Sequence, residues 1–143
     1  MDPSAISVRQ AVRADVPAMQ RIRHAVRENR LTSRILRDAD VIEAIERRGR
    51  GWVAEHGGEI IGFAVGNPET GNVWALFVDP AFEGRGAGRR LHDEMVGWLR
   101  SRGLTRLWLG TEPGTRAERF YARLGWRRIG LQPDGEVRFE LEL

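Results

Sequence analysis

The sequence predicts an α/β (α+β) sandwich: a mixed, mostly antiparallel sheet with helices on both faces. Two observations carry this. Short apolar runs of strand length are interleaved with longer stretches of helical spacing, and glycine or proline marks almost every junction. The strand-like runs between residues 52 and 78 are joined only by tight turns, which makes that part of the sheet antiparallel. The 143 residues, 41% apolar and 30% charged, suit one domain with a single core.

In chain order, residues 6–12 (ISVRQAV) alternate apolar and polar, as a first strand does. Asp15 is placed to cap a helix over 16–29, with Pro17 in its first turn and a stripe of Val16, Met19, Ile22, His24, Ala25 and Val26. Asp40-x-x-Glu43 resembles a capping box for a second helix that runs to Arg48 and stops at Gly49. Residues 52–55 and 60–65 read as strands around a turn at His56-Gly57-Gly58. A further turn over 67–71 leads to 73–78, which is apolar throughout and is expected in the sheet centre, buried on both faces; Asp79-Pro80 ends it. Leu91, Met95, Trp98 and Leu99 fall at helical spacing before Gly103, and 104–111 is the next strand. Thr115-x-x-Glu118 opens a helix over 115–124, closed by Gly125. Strands near 126–131 and 136–143 finish the chain around Pro133-Asp134-Gly135. Val137, Phe139, Leu141 and Leu143 alternate, and this last strand is a candidate for pairing across a homodimer interface.

No apolar run approaches the ~20 residues that span a bilayer, and the first residues lack a basic-then-apolar leader, so a cytoplasmic protein without a membrane partner is expected. The absence of cysteine excludes disulfides, thiolate metal ligands and a cysteine nucleophile, and no metal is expected. All 23 basic residues are arginine, yet the formal net charge is only +3. Most arginines are interspersed with acids, as in REN, RDAD and IERRGR, which argues against a nucleic-acid partner.

The stretch VDPAFEGRGAGRRL, residues 78–91, sets glycines at 84, 86 and 88 between a strand and a helix. A helix start exposes unpaired amides and the positive end of the helix dipole, and glycines let an oxyanion approach the backbone. Arg85, Arg89 and Arg90 add charge, so phosphate or diphosphate is the natural guest. A G-x-x-x-x-G-K-[ST] loop is excluded because there is no lysine, and G-x-G-x-x-G fails at Arg89.

This stretch resembles the coenzyme-A signature V-x-P-x-x-[RQ]-x-x-G-x-[GA] of the GNAT superfamily of acyl-CoA-dependent N-acetyltransferases. AERFYARLGW, residues 117–126, is similar to that family's downstream A-x-x-F-Y-x-x-x-G-F element, about 30 residues further on with a strand between, and the element order matches over 6–143. The resemblance implies a GNAT-like fold that uses acetyl-CoA as cosubstrate. Its pantetheine pairs with the main chain of Phe77 and Val78. Its diphosphate sits on the amides of Arg85, Gly86, Ala87, Gly88 and Arg89, with Gly84 also in the cofactor loop, and the later helix over 115–124, with Arg119 and Phe120 as cofactor contacts, covers the thioester. Three positions depart from the family: Glu83 where glutamine or arginine is usual, Gly114 where asparagine is common, and Trp74 where many members carry a basic-acting glutamate.

By the same resemblance Tyr121 is the candidate acid for the departing sulfur, since a phenol near pKa ~10 stays protonated above a thiol near ~8.5. A main-chain N–H near Phe77 or Val78 is the candidate oxyanion donor. Glu112, just past its strand, is the candidate base. His24 and His56 have the right chemistry and the wrong places. The acceptor, a small-molecule amine, is expected to enter past residues 28–40, with Asn29 and Trp74 as substrate contacts; Arg27, Arg30, Arg34 and Arg37 there suggest an amino acid-like or anionic acceptor. The competing readings are a non-catalytic acyl-CoA sensor with the same pocket, and a nucleotide-binding module.

Overall fold

The computed structural model describes residues 5–26 and 36–143. Four strands, β1 (Ile6–Gln10), β2 (Arg50–His56), β3 (Glu59–Gly66) and β4 (Val73–Val78), form an antiparallel sheet in that spatial order. A second antiparallel sheet holds β5 (Arg106–Thr111), β6 (Arg127–Leu131) and β7 (Val137–Glu142) in the order β5-β7-β6. The helices are α1 (Val16–Ala25), α2 (Asp38–Glu43), α3 (Ala87–Ser101) and α4 (Arg116–Arg123). Helices cover both faces. Val16, Met19 and Ile22 of α1 pack with Val41, Val53, Phe63 and Val65 on one side. Leu91, Met95 and Leu99 of α3 join Ile61, Leu107, Leu109, Tyr121 and Phe139 on the other.

Local chemistry sets the boundaries. Gly57 and Gly58 both adopt left-handed φ (58° and 81°), the requirement of a two-residue hairpin whose twist matches its strands. Gly49 presses on β3, where a Cβ would stand 2.0 Å from the Gly66 carbonyl oxygen, so only glycine ends the second helical segment there. Asp15 precedes α1 without capping it. Its carboxylate accepts from the Val12 N–H (2.8 Å) and from two Arg9 nitrogens (2.8 Å each), which stitches β1 to the helix start. Asp40 is the third helical residue rather than the cap, because its Oδ2 accepts the Arg37 N–H (2.9 Å). The helix then widens into a π turn over Ala44–Arg48.

Three expectations change. α1 stops at Ala25, with Val26 extended, instead of reaching 29, and His24 and Ala25 are exposed. β4 is an edge strand, not a central one, and Trp74 is 38% exposed; its apolar run serves a cleft wall. β7 is an inner strand, paired with β5 over Val137–Glu142 and with β6 over Val137–Glu140, rather than a free edge along its length.

Candidate active site

The two sheets touch at one point and then diverge. Asn72 and Trp108 form a parallel bridge, reinforced by the Trp108 N–H to Gly71 O (3.0 Å) and the Trp108 Nε1–H to Thr70 O (3.1 Å). Beyond it β4 and β5 splay around a cleft of about 510 Å³, closed by α4 and by the start of α3. Strands that part leave their facing main-chain groups without a ladder partner. Asp79 N–H donates to Ile61 O (2.8 Å), and antiparallel alternation from that bond commits the Phe77 main chain to Phe63 and turns the groups of Leu76 and Val78 outward. Phe77 is therefore a side-chain wall, and Leu76, absent from the sequence reading, takes its main-chain place. Counting by twos from Asp79 would have found it.

The glycine loop resolves into separate roles. Gly84 and Gly86 adopt φ of 76° and 87°, conformations that demand glycine, and a Cβ on either would meet nothing within 4 Å. Gly88 lies inside α3, where a Cβ would meet Phe120 Cε1 at 3.3 Å and Val78 Cγ2 at 3.5 Å; its bareness lets α3 sit against α4. Gly86 is the N-cap, and Arg90 N–H to Gly86 O (3.1 Å) is the first helical bond. The amides of Ala87, Gly88 and Arg89 donate to no described residue, and all three residues line the cleft. Three free donors at the positive end of a 15-residue helix fit a diphosphate. Arg85 lies outside the lining, its guanidinium 5.3 Å over the Phe82 ring. Glu83 pairs with Arg116 of α4 across the loop, so the carboxylate that departs from the family pattern meets a cation.

On α4, Arg116, Phe120 and Arg123 share the cleft-facing side, whereas Arg119 is exposed and outside the lining. Arg116 and Arg123 escaped the sequence reading although their spacing of seven gave the signal. Thr115 begins α4, but its hydroxyl donates to Glu112 O (2.8 Å), and Glu118 Oε2 accepts the Gly114 N–H (2.9 Å), so the expected capping box is replaced by a tighter loop. The Tyr121 ring is buried among Phe120, Trp126 and Phe139 at 5.2–6.2 Å, while the residue lines the cleft and its hydroxyl bonds to no described residue. Burial pushes the Tyr121 phenol well above its ordinary value, so it stays protonated. Glu112 also lines the cleft, and its Oε2 is buried without a hydrogen-bond partner.

The cleft thus brings together Tyr121, Glu112, Trp74, Phe77, Val78, Gly84, Gly86, Ala87, Gly88, Arg89 and Phe120, and leaves out Arg85 and Arg119. Asn29, with Arg27, Arg30 and Arg34, falls outside the described residues; Arg37 ends as the N-cap of α2. His92 was overlooked. It is 5% exposed on α3, accepts the Trp126 Nε1–H at Nε2 (2.9 Å), and faces Asp93 Oδ1 through Nδ1 (3.0 Å). Among the described residues no cluster of three His, Asp or Glu is arranged to hold a metal ion, and no helix is long and apolar enough to cross a membrane.

The architecture is a splayed two-sheet sandwich whose opening is capped by the free amides at the start of α3. The chain belongs to the acetyltransferase (GNAT) family, whose model matches residues 16–126. It is 31% identical over 85 residues to a [ribosomal protein bS18]-alanine N-acetyltransferase of Haemophilus ducreyi, a match covering 53% of this chain and 59% of that one. Across the curated relatives the matches span 21% to 59% of the relative's length. The fold is shared with Ard1 of Thermoplasma volcanium (TM-score 0.82, 18% identity, 97% and 98% of the chains covered). It is also shared with the PaiA N-acetyltransferase of Thermoplasma acidophilum in complex with coenzyme A (TM-score 0.79, 14% identity, 97% and 99%).

Proposed function

We propose that the chain is an N-acetyltransferase that moves an acetyl group from acetyl-CoA to a small-molecule amine by direct attack within a ternary complex. Acetyl-CoA supplies the activated thioester. The observation that carries the reading is Tyr121: kept protonated by burial and with a hydroxyl that bonds to no described residue, it lines a cleft that also contains three free α3 amides. The amides of Ala87, Gly88 and Arg89 receive the diphosphate, with Arg89 and Arg116 as nearby charge. The outward main chain of Leu76 and Val78 flanks the pantetheine arm, and one of its N–H groups lies ready for a developing oxyanion. Tyr121 gives its proton to the departing sulfur, and the Glu112 carboxylate accepts one from the amine, directly or through a water. The relative named for acetylating an alanine of a ribosomal protein supports an amine acceptor.

The test is release of free thiol from acetyl-CoA against a panel of amines. Tyr121→Phe is expected to lower kcat by about 10²-fold or more at unchanged acetyl-CoA affinity; unchanged turnover would remove Tyr121 from the chemistry. A non-catalytic acyl-CoA sensor, the reading that Trp74 in place of an acid favours, would bind the coenzyme and release no thiol with any amine.

A further inference from the structure

The helix that carries Tyr121 has a narrow seat. Of the eight residues of α4 only Tyr121 is buried, so the placement of that one ring decides how the helix lies over the cleft. The chain just after the helix holds Tyr121 twice. Gly125 adopts a φ of 92°, its N–H donates to Ala122 O (3.2 Å), and the Trp126 N–H donates to Tyr121 O (3.0 Å), the paired bonds of a Schellman cap. The same cap sets the Trp126 indole edge-on to the Tyr121 ring, with centroids 5.4 Å apart. Trp126 is fixed in turn by His92 of α3, whose Nε2 accepts the indole Nε1–H (2.9 Å). The imidazole also stands edge-on to Phe120 (6.4 Å), and Phe120 lies 5.2 Å from Tyr121. Two of the rings that enclose Tyr121 thus trace back to one buried histidine. Nε2 accepts while the ring proton is on Nδ1, and Asp93 Oδ1, 3.0 Å from Nδ1, keeps it there. Apolar contacts are non-directional, whereas a buried hydrogen bond fixes an angle.

We infer that His92 is a positioning residue for acetyl transfer: through the Trp126 indole it holds the Tyr121 ring, and with it the hydroxyl, at the departing sulfur. This rests on the transfer reading above, in which Tyr121 protonates that sulfur. Neither His92 nor Trp126 lines the cleft, so both act through Tyr121 and not on the reacting atoms. A misplacement on the order of 1 Å costs up to about 10²-fold in rate. A proton donor works in the transition state, so slack at Tyr121 lowers kcat and leaves acetyl-CoA binding at the α3 amides nearly unchanged.

The experiment measures thiol release by wild type, His92→Phe, His92→Gln, Tyr121→Phe and the double variant His92→Phe/Tyr121→Phe, at a temperature where circular dichroism shows each one folded. His92→Phe is expected to lower kcat about tenfold or more, with the KM for acetyl-CoA within about twofold of wild type. His92→Gln, whose amide oxygen can accept the indole N–H, restores kcat to within about threefold. In the Tyr121→Phe background His92→Phe removes nothing further, because the hydroxyl it positioned is gone. Val53→Ala, a core truncation on the other face of the first sheet, loses stability and keeps kcat. Unchanged kcat in His92→Phe, an equal loss in Val53→Ala, or full additivity in the double variant overturns the inference and leaves acetyl transfer intact. Tyr121 is the only tyrosine in the chain, so 3-fluorotyrosine labelling reports on that ring alone. With CoA bound, exchange broadening of the fluorine signal in His92→Phe and not in His92→Gln supports the inference; equal line widths in wild type and both variants overturn it. A wild type that releases no thiol with any amine overturns the transfer reading, and the line widths alone then uphold or overturn the hold of His92 on Tyr121.

Discussion

The bond between His92 and Trp126 gives a stability prediction that can be worked through. Both residues are buried, at 5% and 3% exposure, and the indole N–H has one acceptor, His92 Nε2, at 2.9 Å. Because Nε2 accepts, the ring proton sits on Nδ1 toward Asp93. His92→Phe keeps a ring of similar size against Phe120 and Trp126 but leaves the indole donor buried and unsatisfied, a cost of about 1–3 kcal/mol. At this chain length that is roughly 3–10 °C in Tm. Trp126→Phe removes the donor and strands the imidazole acceptor instead, with a further loss from the smaller ring. The double variant has neither orphan, so it should be less destabilised than the two singles summed, by about 1–2 kcal/mol. Urea denaturation of the four proteins, followed by far-UV circular dichroism, measures this coupling. Single effects that add to within about 0.5 kcal/mol would refute the argument and reduce the pair to simple packing.

Three further outcomes follow from the geometry. Asp15 is held below the ordinary carboxylate range, chiefly by its hydrogen bonds from Arg9 and then by the Val12 N–H. Its stabilisation is present above the unfolded pKa near ~4 and is lost as pH falls through the lower folded value. The stability gap between wild type and Asp15→Asn, measured by urea titration from pH 5 to 2, should therefore shrink as acid is added; a constant gap would contradict this. Gly86→Ala forces a φ of 87° on a residue with a Cβ, costing about 1–2 kcal/mol or a rearranged α3 start, so acetyl-CoA affinity measured by calorimetry should fall about tenfold. Gly49→Ala drives a Cβ to within 2.0 Å of the Gly66 carbonyl oxygen, where neither backbone can yield easily; a Tm drop of less than a few degrees would show that the β2–β3 junction is looser than described.

Much of the architecture was legible because turn chemistry is local. Left-handed glycines at 57 and 58, the alternation of Val137 and Phe139, and the Leu91–Met95–Leu99 stripe each identify their element without help from the rest. The failures come from tertiary effects. An apolar run such as 73–78 signals contact with something apolar, and the sequence cannot say whether that is another strand or an open cleft. Asp15 and Asp40 look like caps, yet Arg9 and the Arg37 N–H capture them. In the site, the glycine loop, Tyr121 and Glu112 were readable from motif and position. The outward turn of Leu76, the use of Gly88 to seat Phe120, the Glu83–Arg116 pair and buried His92 depend on which elements meet across the chain.

The central physical claim is that the unpaired amides at the start of α3 grip the diphosphate of the acetyl carrier. It is tested most directly by recording amide ¹⁵N–¹H spectra of the protein during a titration with CoA. The account requires saturable shifts largest at Gly86, Ala87, Gly88 and Arg89, reproduced by acetyl-CoA and absent with acetyl-pantetheine, which has no diphosphate. Spectra in which these four amides stay still at millimolar CoA, or move equally with acetyl-pantetheine, would contradict it.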